Sequence, residues 1–91
     1  MNDSTEQETL FEFPCQFPIK AMGKSGEVFE AAVIEIVNRH VEELPEGAVK
    51  LGASKGGNYT SITITITAHS KAQLDAIYMD LTRCEHVLYA L

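Results

Sequence analysis

The chain has 91 residues, of which 45% are apolar and 22% charged, and a net charge of −6 at pH 7. This length suits one small folded domain and disfavours a deep catalytic cleft, because so small a domain buries only about 60% of the surface that its unfolded chain exposes. No apolar run approaches the roughly 20 residues of a membrane-spanning helix. The start, MNDSTEQETL, lacks the basic and apolar stretches of a secretory signal, so we expect a cytoplasmic protein.

The charge is unevenly distributed along the chain. The first twelve residues hold four acidic side chains and no basic one, which leaves about −2 for the rest. We therefore predict a flexible acidic tail over residues 1–10, solvated rather than docked, and a single domain over residues 11–91. The remaining charge balance disfavours nucleic-acid binding, which needs basic side chains to displace counterions from phosphates.

The first elements are a strand and a helix. QFPIKAMG, residues 16–23, alternates in polarity and places three apolar side chains on one face: Phe17, Ile19 and Ala21. Pro18 counts against full hydrogen bonding of that strand. Ser25 is then a suitable N-cap for a helix over residues 27–43. Its buried stripe is expected to contain Phe29, Ala32, Val33, Ile36 and Val37.

Two strands joined by a hairpin follow. AVKLGAS, residues 48–54, is short and contains glycine, as is typical of an edge strand. The loop at residues 55–58 contains Gly56 and Gly57, which can supply the positive φ angles of a tight turn. In the next strand the isoleucines point one way and the threonines the other: Ile62, Ile64 and Ile66 against Thr63, Thr65 and Thr67.

The last elements are a helix and a strand. Ser70 and Gln73 form a Ser-x-x-Gln capping box. The helix that follows has the clearest apolar spacing in the chain: Leu74, Ile77, Tyr78 and Leu81. HVLYAL, residues 86–91, is predicted to be the fourth strand, with Val87, Tyr89 and Leu91 on its inner face and Leu88 and Ala90 on its outer face.

The resulting order is β-α-β-β-α-β, which predicts an α+β, ferredoxin-like sandwich. Right-handed crossovers give a four-stranded antiparallel sheet of order 4-1-3-2 with two helices on one face. Cys15 and Cys84 then lie at opposite ends of neighbouring strands, about 20 Å apart at 3.3 Å per residue. A disulfide needs Cα atoms within about 7 Å, so this topology excludes an internal bridge and disfavours a redox pair.

Residues with catalytic potential are scattered. The three histidines have no metal-ligand spacing, and His40 is expected to stabilise the end of the first helix through its dipole. The serines lack a nucleophile elbow, and the Gly56-Gly57 loop lacks a phosphate-loop pattern. We therefore expect no catalytic residue, no metal and no cofactor, and a protein that is not an enzyme.

The outer face of the predicted sheet is the remaining candidate surface. Strand parity assigns to it Lys20, Met22, Lys50, Thr63, Leu88 and Ala90. This set is either ordinary surface scatter or a small apolar patch beside two ammonium groups that docks a partner. The central strands lack the outward aromatic rings of RNA-recognition modules, and Tyr59 stands only at a strand end.

Several stretches together resemble the YbeD family of small bacterial proteins. They are FEFPCQFPIKAMGK (11–24), IVNRH (36–40), SKGGNYTSITITI (54–66) and the helix that carries Leu74 to Leu81. The second glycine of the hairpin loop and the acidic leader depart from the family pattern.

The resemblance implies a fold similar to the ACT regulatory domains, which sense small ligands, and a lipoate-related regulatory role has been suggested for the family. It implies a ligand site either between paired sheets or at the loop after the first strand, which here is Met22, Gly23, Lys24, Ser25 and Gly26. The alternative is that Gly23 and Gly26 only turn the chain. We expect a regulatory module that binds a protein partner, itself or a small anionic metabolite. A plain adaptor is the alternative, followed by an RNA-binding module and an enzyme.

Overall fold

The computed structural model describes residues 12–54 and 56–91. The predicted acidic tail, residues 1–10, lies outside the described residues, as does Lys55 of the hairpin loop. The described chain contains six elements in the predicted order: β1 (Cys15–Lys24), α1 (Glu27–Asn38), β2 (Val49–Ala53), β3 (Tyr59–Ala68), α2 (Lys71–Arg83) and β4 (Tyr89–Ala90).

These four strands form one antiparallel sheet in the order β2-β3-β1-β4. The predicted order 4-1-3-2 is therefore confirmed, as is the α+β, ferredoxin-like class. β1 and β3 form the centre of the sheet and pair from Cys15 opposite Ala68 to Lys24 opposite Tyr59. β2 lies at one edge, as its short glycine-bearing sequence predicts.

The core lies between the two helices and one face of the sheet. Ile62 and Ile64 of β3 are 0% exposed, whereas the residue that follows each of them, Thr63 and Thr65, is partly exposed. Isoleucine side chains buried in this way each contribute about 1.5–3 kcal/mol, so the alternation itself determines which face the helices cover. The same cluster contains Ile19 and Ala21 of β1, four residues of α1 and three of α2: Phe29, Val33, Ile36, Val37, Leu74, Ile77 and Leu81.

Helix α1 is shorter than predicted, because it ends at Asn38 and not at residue 43. The N–H groups of Arg39 and His40 close the last turn on carbonyls within the helix. The His40 carbonyl then accepts a 2.8 Å hydrogen bond from the Gln73 side chain. Val41 and Leu44, beyond this end, still pack against the core. The apolar residues past residue 38 thus pack against the core from a loop and not from a helix, and a tertiary contact holds that loop in place.

The start of α1 also differs from the prediction. Its N-cap residue is Gly26, and among residues 12–54 and 56–91 no side chain caps the helix there. The Ser25 hydroxyl lies 2.8 Å from the Thr60 hydroxyl, and the Ser25 N–H donates to the Asn58 carbonyl. Ser25 therefore ties the end of β1 to the beginning of β3 and does not cap the helix.

The predicted cap of α2 is confirmed. The Ser70 hydroxyl accepts a 3.1 Å hydrogen bond from the Gln73 N–H. The Gln73 side-chain oxygen in turn accepts from the His69 N–H at 2.7 Å, one residue before the N-cap position that the standard capping box uses. One side chain thus closes the start of α2 and, through its nitrogen, the end of α1.

The hairpin between β2 and β3 uses both glycines as predicted. Gly56 has φ 91° and Gly57 has φ 76°, a region that side chains with a Cβ atom rarely enter. Leu51 of β2 shares the buried face by register with Ile62 but is 54% exposed. The core side of β2 is therefore only partly covered.

The fourth strand is the largest correction to the prediction. β4 contains only Tyr89 and Ala90, not residues 86–91. Ala90 pairs with the buried Ala21 and Tyr89 pairs with Met22, so the predicted faces of this strand are reversed. The Leu88 N–H also donates to the Met22 carbonyl, at 2.8 Å. Leu88 and Tyr89 thus both stand opposite Met22. Two residues opposite one define a β-bulge, which shifts the alternation of side chains by one residue.

Both cysteines are free thiols. Cys15 begins β1 and pairs with Ala68, and Cys84 follows the end of α2. Each is partly buried against the core, so each serves as a small apolar residue there.

Candidate functional site

The sheet face opposite the helices is the surface with the most distinctive composition. We define the outer face as the strand residues that alternate with the buried ones. In the register of the sheet these are Gln16, Pro18, Lys20, Met22, Lys24, Lys50, Gly52, Tyr59, Ser61, Thr63, Thr65, Thr67 and Tyr89.

A row of two lysines and one threonine crosses this face. Thr63 of β3 pairs with Lys20 of β1 on one side and with Lys50 of β2 on the other. Because neighbouring strands lie about 4.8 Å apart, the two lysine backbones are separated by roughly 10 Å. The register therefore places these three residues in one row on the same face of the sheet, as predicted from strand alternation.

An apolar patch lies one step along β1 from this row. Met22 points outward between Lys20 and Lys24, and the Tyr89 hydroxyl donates to its sulfur at 3.3 Å. Tyr89 is 52% exposed and presents its ring beside Met22. The sequence interpretation placed Met22 here but missed Tyr89, because the bulge at Leu88 leaves no signal in strand periodicity.

Two residues predicted for the outer face do not belong to it. Ala90 faces the helices, opposite Ala21, and packs against the core. Leu88 is 60% exposed, but it lines a hollow beside the start of α1. The bulge accounts for both errors, because it leaves Leu88 ahead of β4 and turns Ala90 toward the core.

The predicted ligand segment, Met22 to Gly26, is mostly strand and not loop. Met22, Gly23 and Lys24 are the last residues of β1, and only Ser25 and Gly26 link it to α1. A Cβ atom on Gly23 would lie 2.4 Å from the His86 carbonyl oxygen and 2.4 Å from the Phe29 ring. Gly23 is therefore required for close packing and continues β1, so the alternative that it only turns the chain is wrong.

A hollow of about 260 Å³ remains next to this segment. Its lining includes Lys24, Gly26, Phe29, His86 and Leu88, together with the carboxylates Glu27 and Glu85. The first N–H groups of α1 have no side-chain cap, which favours an anion there, while the two carboxylates oppose one.

Charge is segregated between the sheet and the first helix. The four strands contain three lysines and no acidic residue: Lys20, Lys24 and Lys50. Helix α1 contains three glutamates and no basic residue. A chain of net charge −6 therefore presents a basic sheet face, an arrangement that the total charge conceals.

The helix side carries a polar pair that the sequence did not reveal. His40 Nε2 lies 2.6 Å from Asp80 Oδ2, and the two side chains are 23% and 31% exposed. His40 follows the end of α1 and bonds a residue 40 positions away, so its predicted role as a dipole partner within its own helix is wrong. Within residues 12–54 and 56–91, no group of three or more His, Cys, Asp or Glu side chains is arranged to hold a metal ion.

Tyr78 on α2 is the titratable side chain whose environment is most clearly changed. Burial raises the pKa of Tyr78 above the usual range for tyrosine. Its hydroxyl donates a 2.6 Å hydrogen bond to the Leu91 carbonyl, and its ring meets that of Phe17 edge to face. Tyr78 thus anchors the chain end that follows β4 and takes no part in the outer face.

Neither helix of the described residues is long and apolar enough to cross a lipid bilayer.

Comparisons with known proteins agree with the resemblance to the YbeD family. The family model described as "Protein of unknown function (DUF493)" matches residues 8–91. The UPF0250 protein of Chromobacterium violaceum is 46% identical over 79 residues, which cover 87% of this chain and 89% of that relative. The UPF0250 protein of Janthinobacterium sp. (strain Marseille) is 38% identical over 91 residues and covers both chains completely.

A solved structure shares the fold. The solution structure of protein HP0495 from H. pylori superimposes with a TM-score of 0.69 at 14% sequence identity, over 89% of this chain and 85% of that one.

Proposed function

We propose that this chain, which belongs to the DUF493 family of proteins of unknown function, is a non-catalytic binding module that recognises a protein partner through its outer face. The observation that supports this proposal is the register of the two central strands. It brings Lys20, Met22 and Thr63 together, adds Lys50 from β2, and leaves them on the side of the sheet that the helices do not cover.

The chemistry of the outer face is that of binding. Ammonium groups, hydroxyls, a thioether and phenol rings provide charge, hydrogen bonds and apolar contact. The His40–Asp80 pair lies on the helix side instead. In the part of the chain that the structure describes, the two side chains of this pair hydrogen-bond each other, and neither bonds a serine, threonine or cysteine side chain. A regulatory role, which the ACT-like resemblance implies, would be exercised by occupying a partner and not by turnover.

The partner test compares two substitutions that introduce the same charge at two methionines, the half-buried Met22 and the exposed Met79. Met22→Asp disrupts the outer face, and Met79→Asp changes the exposed surface of α2. We expect a tagged chain with Met22→Asp to lose the protein that the unsubstituted chain retains in affinity purification, and the Met79→Asp chain to keep it. Circular dichroism melts of both variants must show the native fold. Retention of the partner by Met22→Asp would rule out the outer face.

A small anion is the second candidate ligand, and the hollow at the start of α1 favours it. Lys24 and His86 stand beside helix N–H groups that no side chain caps. The lipoate-related role implied by the family resemblance makes lipoate and octanoate the first compounds to test, with amino acids beside them. A true ligand raises the melting temperature with concentration, and His86→Gln should reduce that rise. A melting temperature unchanged by every compound would remove this candidate and leave the protein-binding proposal intact.

A further inference from the structure

We infer that the outer face takes an acidic, extended segment of a partner protein, with an apolar residue between two carboxylates. This inference rests on the proposed function and specifies the chemistry of its partner. Its first support is charge. The strands carry lysine as their only charged residue type, whereas α1 carries only glutamate, so an acidic segment is attracted to the sheet and repelled from α1.

Spacing along β1 supplies the second support. Lys20, Met22 and Lys24 project from one side of the strand at every second residue. At about 3.3 Å per residue, the two lysines are roughly 13 Å apart with the thioether midway. An extended peptide has the same period, so carboxylates four residues apart, with an apolar residue between them, match the two ammonium groups and Met22.

The neighbouring strand supplies hydrogen-bonding groups for such a segment. Ser61 pairs with Met22 and Thr63 pairs with Lys20, so a hydroxyl stands beside each. Gln16 bonds Thr67 at the far end of the face, and the Ser61 hydroxyl donates a 3.3 Å bond to the Gly52 carbonyl. Within the described chain the Thr63 and Thr65 hydroxyls have no such bond, which leaves them to pair with a partner's backbone.

A nucleic acid fits the same face less well. Tyr59 stands at the first position of β3 and Tyr89 on the edge strand, so the middle of the face is lined by hydroxyls and not by stacking rings. Three lysines on a chain of net charge −6 also provide few phosphate contacts. A protein segment needs only two carboxylates and gains from the apolar contact with Met22.

The test uses a synthetic peptide and locates it by amide chemical shifts. The probe contains Glu-Ser-Leu-Ser-Glu, blocked at both ends, and the control peptide has glutamine at both glutamate positions. Titrated into the ¹⁵N-labelled full-length chain, the probe should shift the amides of Lys20, Met22 and Thr63. Its affinity should fall with salt, because charges on an exposed face are screened.

Charge variants test which lysines hold the peptide. Lys20→Ser combined with Lys24→Ser should weaken the probe about tenfold. Lys71→Ser is the control, because Lys71 lies on α2 and pairs with Asp75, and it should leave the affinity unchanged. Equal binding of the glutamine peptide, or shifts confined to the helices, would overturn the inference. So would tighter binding of a mixed-sequence RNA or of phosphatidylserine vesicles to the same face.

The failures of the two proposals are distinguishable. If the acidic peptide does not bind but the Met22→Asp chain still fails to capture the partner, the outer face binds a protein and only the inference that its segment is acidic is wrong. If Met22→Asp also keeps the partner, the outer face is not the binding surface and both proposals fall.

Discussion

Replacing Gly23 with alanine is expected to destabilise the domain by overpacking. The added Cβ would lie 2.4 Å from the His86 carbonyl oxygen and 2.4 and 2.6 Å from two carbons of the Phe29 ring. The His86 contact is with backbone, which cannot rotate away. Phe29 is 3% exposed and packs within the core, so its ring has little room to retreat. Either the segment before β4 or the start of α1 must move.

The expected cost follows from measured overpacking. Extra methylene groups forced into well-packed cores typically cost about 1–3 kcal/mol. We expect the upper half of that range, about 2–3 kcal/mol, because one of the contacts is with backbone. A domain of this size has a total stability of only roughly 4–12 kcal/mol, so the loss is a large fraction of it. The melting temperature should fall by roughly 8–24 °C, and urea unfolding followed by circular dichroism should give the free energy directly.

Gly52→Ala is the matched control for this prediction. Its added Cβ meets only the Ser61 hydroxyl, at 3.0 Å, and that side chain can rotate. The control should stay within about 0.5 kcal/mol of the unsubstituted chain. If Gly23→Ala melts within about 2 °C of that chain, or if Gly52→Ala loses as much, close backbone approach does not explain the glycine and the reasoning fails.

Three further predictions test contacts on the helix side. Ser70→Ala removes the cap of α2 and should cost about 1 kcal/mol in urea unfolding; no loss would mean that Gln73 alone holds the helix start. His40→Ala and Asp80→Ala should each cost about 1 kcal/mol, and the double variant should cost less than their sum, because each single change removes the same partly exposed contact; strict additivity would contradict the pairing. Burial raises the pKa of Tyr78, so the folded state favours its protonated form. That stability is complete below the tyrosine pKa of the unfolded chain and is lost as pH rises through the raised pKa of the folded state. As pH rises into the alkaline range, the Tyr78→Phe chain should therefore lose less stability than the unsubstituted chain. Melting temperatures that fall in parallel with pH in both chains would refute this.

Much of the fold was predictable because its signals are local. The isoleucine alternation of β3 determines which face of that strand is buried, and the capping pair of α2 and the hairpin glycines determine the local backbone conformation. The right-handedness of the crossovers then determines the order of the strands in the sheet. Of the predicted outer face, Lys20, Met22, Lys50 and Thr63 were placed correctly because they belong to strands with regular alternation.

The errors share a different cause. α1 ends at Asn38 because Gln73, from the other helix, bonds the His40 carbonyl, and no pattern within residues 27–43 reports that contact. Leu88 and Ala90 were misplaced, and Tyr89 missed, because a bulge opposite Met22 resets the parity of β4. Lys24 was placed in a loop because Gly23 suggested a turn, whereas that glycine continues β1 beneath the Phe29 ring.

The amino-acid sequence by itself therefore determined which side of the sheet is buried and which strands pair, because hydrophobic periodicity and chain connectivity are encoded along the chain. Only the tertiary structure decided where α1 stops, which way β4 faces and why Gly23 has no side chain. Those three features depend on contacts between residues distant in sequence, and the energy of such a contact exists only when the chain has folded.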